Sequence, residues 1–160
     1  MLTEDLEKDM QLRKNHYLMD RSSYILEGFS EVGFMYKQLG GKKKHNTYVE
    51  WNGNFIPEGK MGVYIMCDGE EVMKIGETQN LRHRFQCYES HTGPTNKMVR
   101  ESMEMKKMYT ILFIECPSFE VGFAGVKVPS GINYRILEKK LLEQYVAMTQ
   151  VLPKWNKGIQ

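Results

Sequence analysis

The chain has 160 residues, 41% hydrophobic and 26% charged, with 22 Lys and Arg against 20 Asp and Glu, a net charge of +2. That is ordinary globular composition, enough for one domain with an extension and a core of its own. No apolar run is long enough to span a bilayer, and the acidic opening (Glu4, Asp5, Glu7, Asp9) is the wrong charge for a secretory leader, so a cytoplasmic protein without a membrane partner is expected.

The charge is unevenly spread. Residues 1–10 hold four acids and one base, leaving 21 bases against 16 acids in the rest of the chain. A basic body of this size permits a nucleic-acid partner without demanding one. Cys67, Cys87 and Cys116 are odd in number and far apart, and they read as reduced thiols rather than a disulfide framework.

In chain order, residues 2–26 read as a helix. Thr3 can cap it, Glu4, Asp5 and Glu7 suit its N-terminal dipole, and Leu2, Leu6, Met10 and Tyr17 line one side. Such a helix serves equally as a docking element or as an oligomerisation arm. Gly40 to Asn46 is a loop by composition, and Lys42, Lys43 and Lys44 beside Tyr48 and Trp51 suit either a solvated turn or a phosphate backbone. Asn52-Gly53 signals a hairpin joining residues 47–51 to residues 54–56.

Residues 61–89 organise everything that follows. An apolar strand, Gly62 to Cys67, precedes Asp68-Gly69 and a second strand from Glu71 to Gly76, which leads into a helix capped by Asn80. Polar groups interrupt each element: Tyr64 in the first strand, Lys74 in the second, Arg84 on the helix. Strand side chains alternate, so hairpin register decides whether Tyr64 and Lys74 share a face. A two-residue loop at Asp68-Gly69 separates them; a three-residue loop, the expectation here, brings them together.

Residues 95–107 read as a helix with Met98, Val99 and Met103 inward and Lys97, Arg100 and Lys106 outward. Residues 108–116 are a continuous apolar run suited to a central strand. Residues 117–131 form an irregular or hairpin segment. Residues 132–150 are a second helix, with Asn133 as N-cap and Leu137, Leu141, Leu142, Tyr145 and Met148 as its buried stripe. Glu138 falls at the edge of that stripe, where a carboxylate is either paired structurally or used.

Gly62-Val63-Tyr64, Lys74-Ile75-Gly76, Arg84 eight residues beyond that glycine, Glu138 on a later helix and Asn156 in Pro153-Lys154-Trp155-Asn156 together resemble the GIY-YIG nuclease family. The compact phage endonucleases and small restriction enzymes are the nearest in pattern. The likeness covers residues 61–160. One position departs: Lys74 stands where the second signature tyrosine falls, as it does in some of the family's restriction enzymes.

The resemblance implies an α+β domain with a central three-stranded antiparallel sheet flanked by helices over residues 61–160. Residues 1–60 would supply an N-terminal helix and β-hairpin extension. It implies a DNA endonuclease using one Mg²⁺, for which Mn²⁺ substitutes, bound by Glu138 and stabilising the 3′ leaving oxygen. Arg84 would hold the scissile phosphate and Asn156 a phosphate or metal-bound water, or else cap the C-terminal turn. An ordinary tyrosine, titrating near ~10, is a poor base at neutral pH, and a cation within about 4–6 Å corrects that. Tyr64 assisted by Lys74 is therefore one candidate base, and Lys74 made neutral by desolvation is the other. Arg82 and Tyr88, with Lys42, Lys43 and Lys44, are expected to touch double-stranded DNA, and paired cuts imply a homodimer or higher oligomer. A catalytically silent nucleic-acid or protein-binding module of the same fold is the competing reading.

Overall fold

The computed structural model describes residues 28–116, 119–121, 126–128 and 131–157, so the helix expected over residues 2–26 lies outside the described residues. The elements run β1 (Ser30–Lys37), β2 (Thr47–Trp51), β3 (Gly62–Asp68), β4 (Glu71–Thr78), α1 (Leu81–Ser90), α2 (Pro94–Ser102), β5 (Met108–Glu115), β6 (Phe119–Val121), β7 (Val126–Val128) and α3 (Gly131–Thr149). Among the described residues, no helix is long and apolar enough to cross a membrane.

Five strands form one sheet in the order β2-β1-β5-β3-β4, and every pairing in it is antiparallel. The expected three strands, β3, β4 and β5, make up one side of it. The apolar run in β5 is central, bonded to β1 on one side and β3 on the other. Buried on both faces, such a strand loses the usual polar alternation.

The hairpin expected at Asn52-Gly53 does not form. Thr47–Trp51 pairs with the preceding strand, Ser30–Lys37, and residues 54–56 carry no strand. β1 joins this hairpin to the sheet through β5, a contact some seventy-five residues away that no local turn signal announces.

The two faces have separate cores. Tyr64, Met66, Phe85, Tyr88, Ile111 and Trp155 cluster on the face covered by α1. Val63, Ile65, Ile75 and Leu112 meet Tyr134, Leu141 and Leu142 of α3 on the other. Burying each large apolar side chain contributes about 1.5–3 kcal/mol, so these two layers hold the sheet between its helices. Met148, expected in the α3 stripe, is instead exposed, and α3 begins at Gly131, which leaves Asn133 within its first turn rather than at its cap.

Both outer edges of the sheet are partly covered by hydrogen bonds from other segments. At β2, the Val49 N–H donates to the Glu89 carboxylate at 3.2 Å. At β4, the Asn156 amide accepts from the Ile75 N–H and donates to the Ile75 carbonyl, both at 2.9 Å, while the Trp155 N–H reaches the Met73 carbonyl at 2.8 Å. The C-terminal segment thus acts as a short surrogate strand, and it blunts an edge that invites pairing with another chain.

Candidate active site

Tyr64 and Lys74 share a face, though by a different device from the one expected. The loop is two residues, Gly69 and Glu70, with Gly69 at φ +60, the first-position geometry of a II′ turn. Met73 is then an extra residue on β4: Cys67 pairs with Val72, but Met66 pairs with Lys74 and Tyr64 with Gly76. The bulge shifts the register by one and returns Lys74 to the Tyr64 side. A loop prediction that ignored bulges reached the correct face through the wrong turn.

Asn80 caps α1 as expected, accepting from the His83 N–H at 3.3 Å. The cap fixes the phase of the helix and directs Arg84 and Tyr88, four residues apart, toward Tyr64. The Arg84 Nε donates to the Tyr64 hydroxyl at 3.2 Å and Nη2 to the Tyr88 hydroxyl at 3.1 Å. The two hydroxyls lie 2.7 Å apart, and Nη1 reaches Asn96 Oδ1 on α2 at 3.2 Å. The guanidinium also stands 4.3 Å above the Tyr88 ring. Burial opposes its charge, but the Tyr64 and then the Tyr88 oxygens outweigh that and hold Arg84 firmly protonated. Burial, then Tyr64, pushes the Tyr88 phenol well above the ordinary tyrosine range, against the opposing pull of Arg84. Tyr88 therefore keeps its proton at neutral pH.

Tyr88 was expected to contact the DNA backbone. It is fully buried, and its hydroxyl is engaged by Tyr64 and Arg84, so its place is inside the cluster. The i, i+4 spacing from Arg84 was the available signal. Nothing in the sequence pointed to Asn96.

Beside this cluster lies a cleft of about 140 Å³ lined by Lys74, Ile75, Thr95, Glu138, Leu142, Asn156 and Lys157. Lys74 donates to the Trp155 carbonyl at 3.3 Å. Burial first, then Arg84 and more weakly Lys157, pull its ammonium from 10.5 down to about 8, with Glu138 opposing. Lys74 therefore links the cluster to the cleft electrostatically. Asn156 lines the cleft too, but both ends of its amide are engaged by the Ile75 backbone, which makes it a residue that positions β4.

Glu138 is partly buried and accepts a hydrogen bond from the Glu77 backbone, yet burial first and the Glu77 carboxylate second raise it above the usual carboxylate range. Glu77, in turn, lies 3.9 Å from Arg135. One carboxylate lining a small polar cleft, with the Glu77 carboxylate close to it, fits a hard divalent cation that takes oxygen ligands and keeps most of its waters. Among the described residues, no group of three or more His, Cys, Asp or Glu gathers, so a cage made wholly of protein ligands is absent there. Glu77 was not singled out from sequence; only its position across from α3 draws it in.

The lysine run divides. Lys42 and Lys43 line a groove with Arg82 along the β2 edge and α1, whereas Lys44 faces a different cavity with Lys37 and Lys97. Arg100, expected to point outward, is buried at 5% exposure and donates to the Tyr88 carbonyl at 2.7 Å. Its guanidinium caps the C-terminal turn of α1, where the unsatisfied carbonyls favour a cation. The three cysteines carry no disulfide.

No protein-family model matches the chain, and no curated protein matches it. Its fold is that of a small antiparallel α+β domain shared with solved structures. The restriction endonuclease HPY188I in complex with product DNA matches with a TM-score of 0.52 over 82% of this chain and 82% of that one, at 13% identity. A point mutant of bacteriophage T4 EndoII matches with a TM-score of 0.50 over 88% of this chain and 98% of that one, also at 13% identity. At that identity the likeness establishes the fold.

Proposed function

We propose that this protein is a Mg²⁺-dependent DNA endonuclease of GIY-YIG type that hydrolyses phosphodiester bonds. The observation that carries this reading is the Arg84 guanidinium bonded to two tyrosine hydroxyls beside a cleft holding Lys74 and Glu138. Two fold neighbours described as endonucleases, one of them with product DNA, add support.

Hydrolysis needs an acceptor for the proton of an attacking water and positive charge on the phosphate. The Tyr64 oxygen receives the Arg84 Nε–H and lies 2.7 Å from the Tyr88 hydroxyl. Positive charge held against that oxygen is what a phenolate base requires; Arg84 supplies it, and Lys74 on the same face adds a second cation. Arg84 is poised to turn part of its donor fork onto the substrate phosphate. Glu138, with Glu77 beside it, would hold the Mg²⁺. Bound there, the ion supplies Lewis-acid stabilisation of the phosphate and the departing oxygen.

One observation favours a second assignment within the same mechanism. Lys74 lines the cleft and titrates at about 8, which suits a lysine that itself accepts the proton. Lys74→Arg separates the two: it keeps the cation but cannot act as base. Retained cleavage assigns the base to Tyr64, and lost cleavage assigns it to Lys74.

The overall reading is tested by incubating supercoiled plasmid and Mg²⁺ with the protein and with Tyr64→Phe, Lys74→Ala and Glu138→Gln. Nicking or linearisation by the wild type, lost in all three variants, is the expected result. Retarded plasmid mobility without cleavage by the wild type would favour a binding module.

A further inference from the structure

The seam between α1 and α2 carries polar contacts at two levels. Asn96 and Arg100, both buried and one turn apart on α2, meet Arg84 and Tyr88, one turn apart on α1. Arg100 donates to the Tyr88 carbonyl at 2.7 Å, and Val99 belongs to the same core as Phe85 and Tyr88. Those two contacts hold α2 against α1. The Arg84 Nη1 donates to Asn96 Oδ1 at 3.2 Å.

Asn96 does little for its own helix. α2 starts at Pro94 behind Gly93, and no side chain caps it. Among the described residues, the Asn96 carboxamide has no hydrogen-bond partner other than Arg84. A buried amide is kept for the bond it makes, and here that bond is to the guanidinium.

A guanidinium carries five N–H groups in one plane. Nε gives its single N–H to Tyr64, Nη2 gives one to Tyr88 and Nη1 gives one to Asn96. One N–H is left on each terminal nitrogen, the pair that a bidentate phosphate contact takes. With the Tyr64 and Tyr88 bonds alone, the planar group could swing about the line joining them. A third bond, at Nη1 and off that line, fixes the plane. We propose that Asn96 is a positioning residue that sets the plane of the Arg84 guanidinium, so that its two remaining N–H groups meet the scissile phosphate. The phosphate half of this proposal rests on the endonuclease reading.

Asn96→Leu keeps the size of the side chain and removes the acceptor, whereas Asn96→Asp keeps the acceptor. Single-turnover cleavage of a duplex with Mg²⁺ should slow about 10–100-fold in Asn96→Leu, the scale of a misplaced catalytic contact. Asn96→Asp should restore the rate to within about three-fold of wild type, and duplex affinity in EDTA should stay within about two-fold in both. Added to Arg84→Lys, Asn96→Leu should slow cleavage no further, because an ammonium has no plane to set. Should Asn96→Leu melt below the wild type, Asn96→Ala carries the same comparisons. NMR of the ¹⁵N-labelled protein without DNA or metal reads the holding directly. The two Nη1 protons of Arg84 should give separate signals in the wild type and Asn96→Asp, and one averaged signal in Asn96→Leu. Separate signals with a wild-type rate in folded Asn96→Leu, or further slowing on top of Arg84→Lys, overturns the role of Asn96 and leaves the endonuclease reading standing. A wild type that cuts no duplex overturns the endonuclease reading and the phosphate half of this one, and the Nη1 signals then decide the positioning half.

Discussion

The hydroxyl end of Tyr64 occupies the space that a side chain on Gly76 would need. A Cβ at Gly76 would lie 2.4 Å from both the Cζ and the hydroxyl oxygen of Tyr64. The two residues are direct partners across the β3–β4 pair. Glycine is required here for close approach, since no positive φ is involved.

Gly76→Ala therefore has to displace the ring that Arg84 and Tyr88 hold. Overpacking of this kind costs about 1–3 kcal/mol, and the displaced hydroxyl should lower plasmid cleavage at least about 100-fold. A thermal melt alongside the cleavage assay separates the two effects. Wild-type cleavage by a folded Gly76→Ala protein would show that the position of Tyr64 is immaterial.

Lys74 gives a stability prediction with a definite sign. Its pKa is depressed in the folded protein, about 8 against 10.5, so between those values the unfolded chain binds more protons and stability rises with pH. The cost of burying the ammonium is present in full below about pH 8 and vanishes above 10.5. Lys74→Met should thus stabilise the protein by about 1–3 kcal/mol at pH 7, with the gain shrinking through that window, while cleavage is lost. Denaturant melts at pH 7 and pH 10.5 check it, and a gain equal at both would contradict the buried ammonium.

Asn156 should behave as a positioning residue. Asn156→Ala leaves the Ile75 N–H and carbonyl unpaired at a sheet edge, a loss of about 1–3 kcal/mol. Amide exchange at Ile75 should accelerate markedly in the variant, while duplex affinity stays within about two-fold. Unchanged exchange with lost DNA affinity would instead make Asn156 a substrate ligand.

Much of the site was legible because strands and helices have fixed periods. Alternation along β3 and β4 put Tyr64 and Lys74 within reach of one face, and the Asn80 cap fixed where Arg84 points. The Met73 bulge was not legible, since both Met73 and the Val72 before it are apolar and buried and neither carries a Gly or Pro mark. Asn52-Gly53 misled because a turn signal says nothing about which strand is already paired, and β1 had claimed β2. Charge misled at Arg100, where the carbonyls at the end of α1 compensate a buried guanidinium. Glu77 became visible only when α3 was laid against β4.

The central claim is that one guanidinium gathers Tyr64, Tyr88 and a substrate phosphate. Arg84→Lys tests it most directly, because it keeps the charge and removes the donor fork. Single-turnover cleavage of a duplex with Mg²⁺ should slow by at least about 100-fold, with duplex affinity changed no more than a few-fold. Cleavage at the wild-type rate by Arg84→Lys would contradict the account.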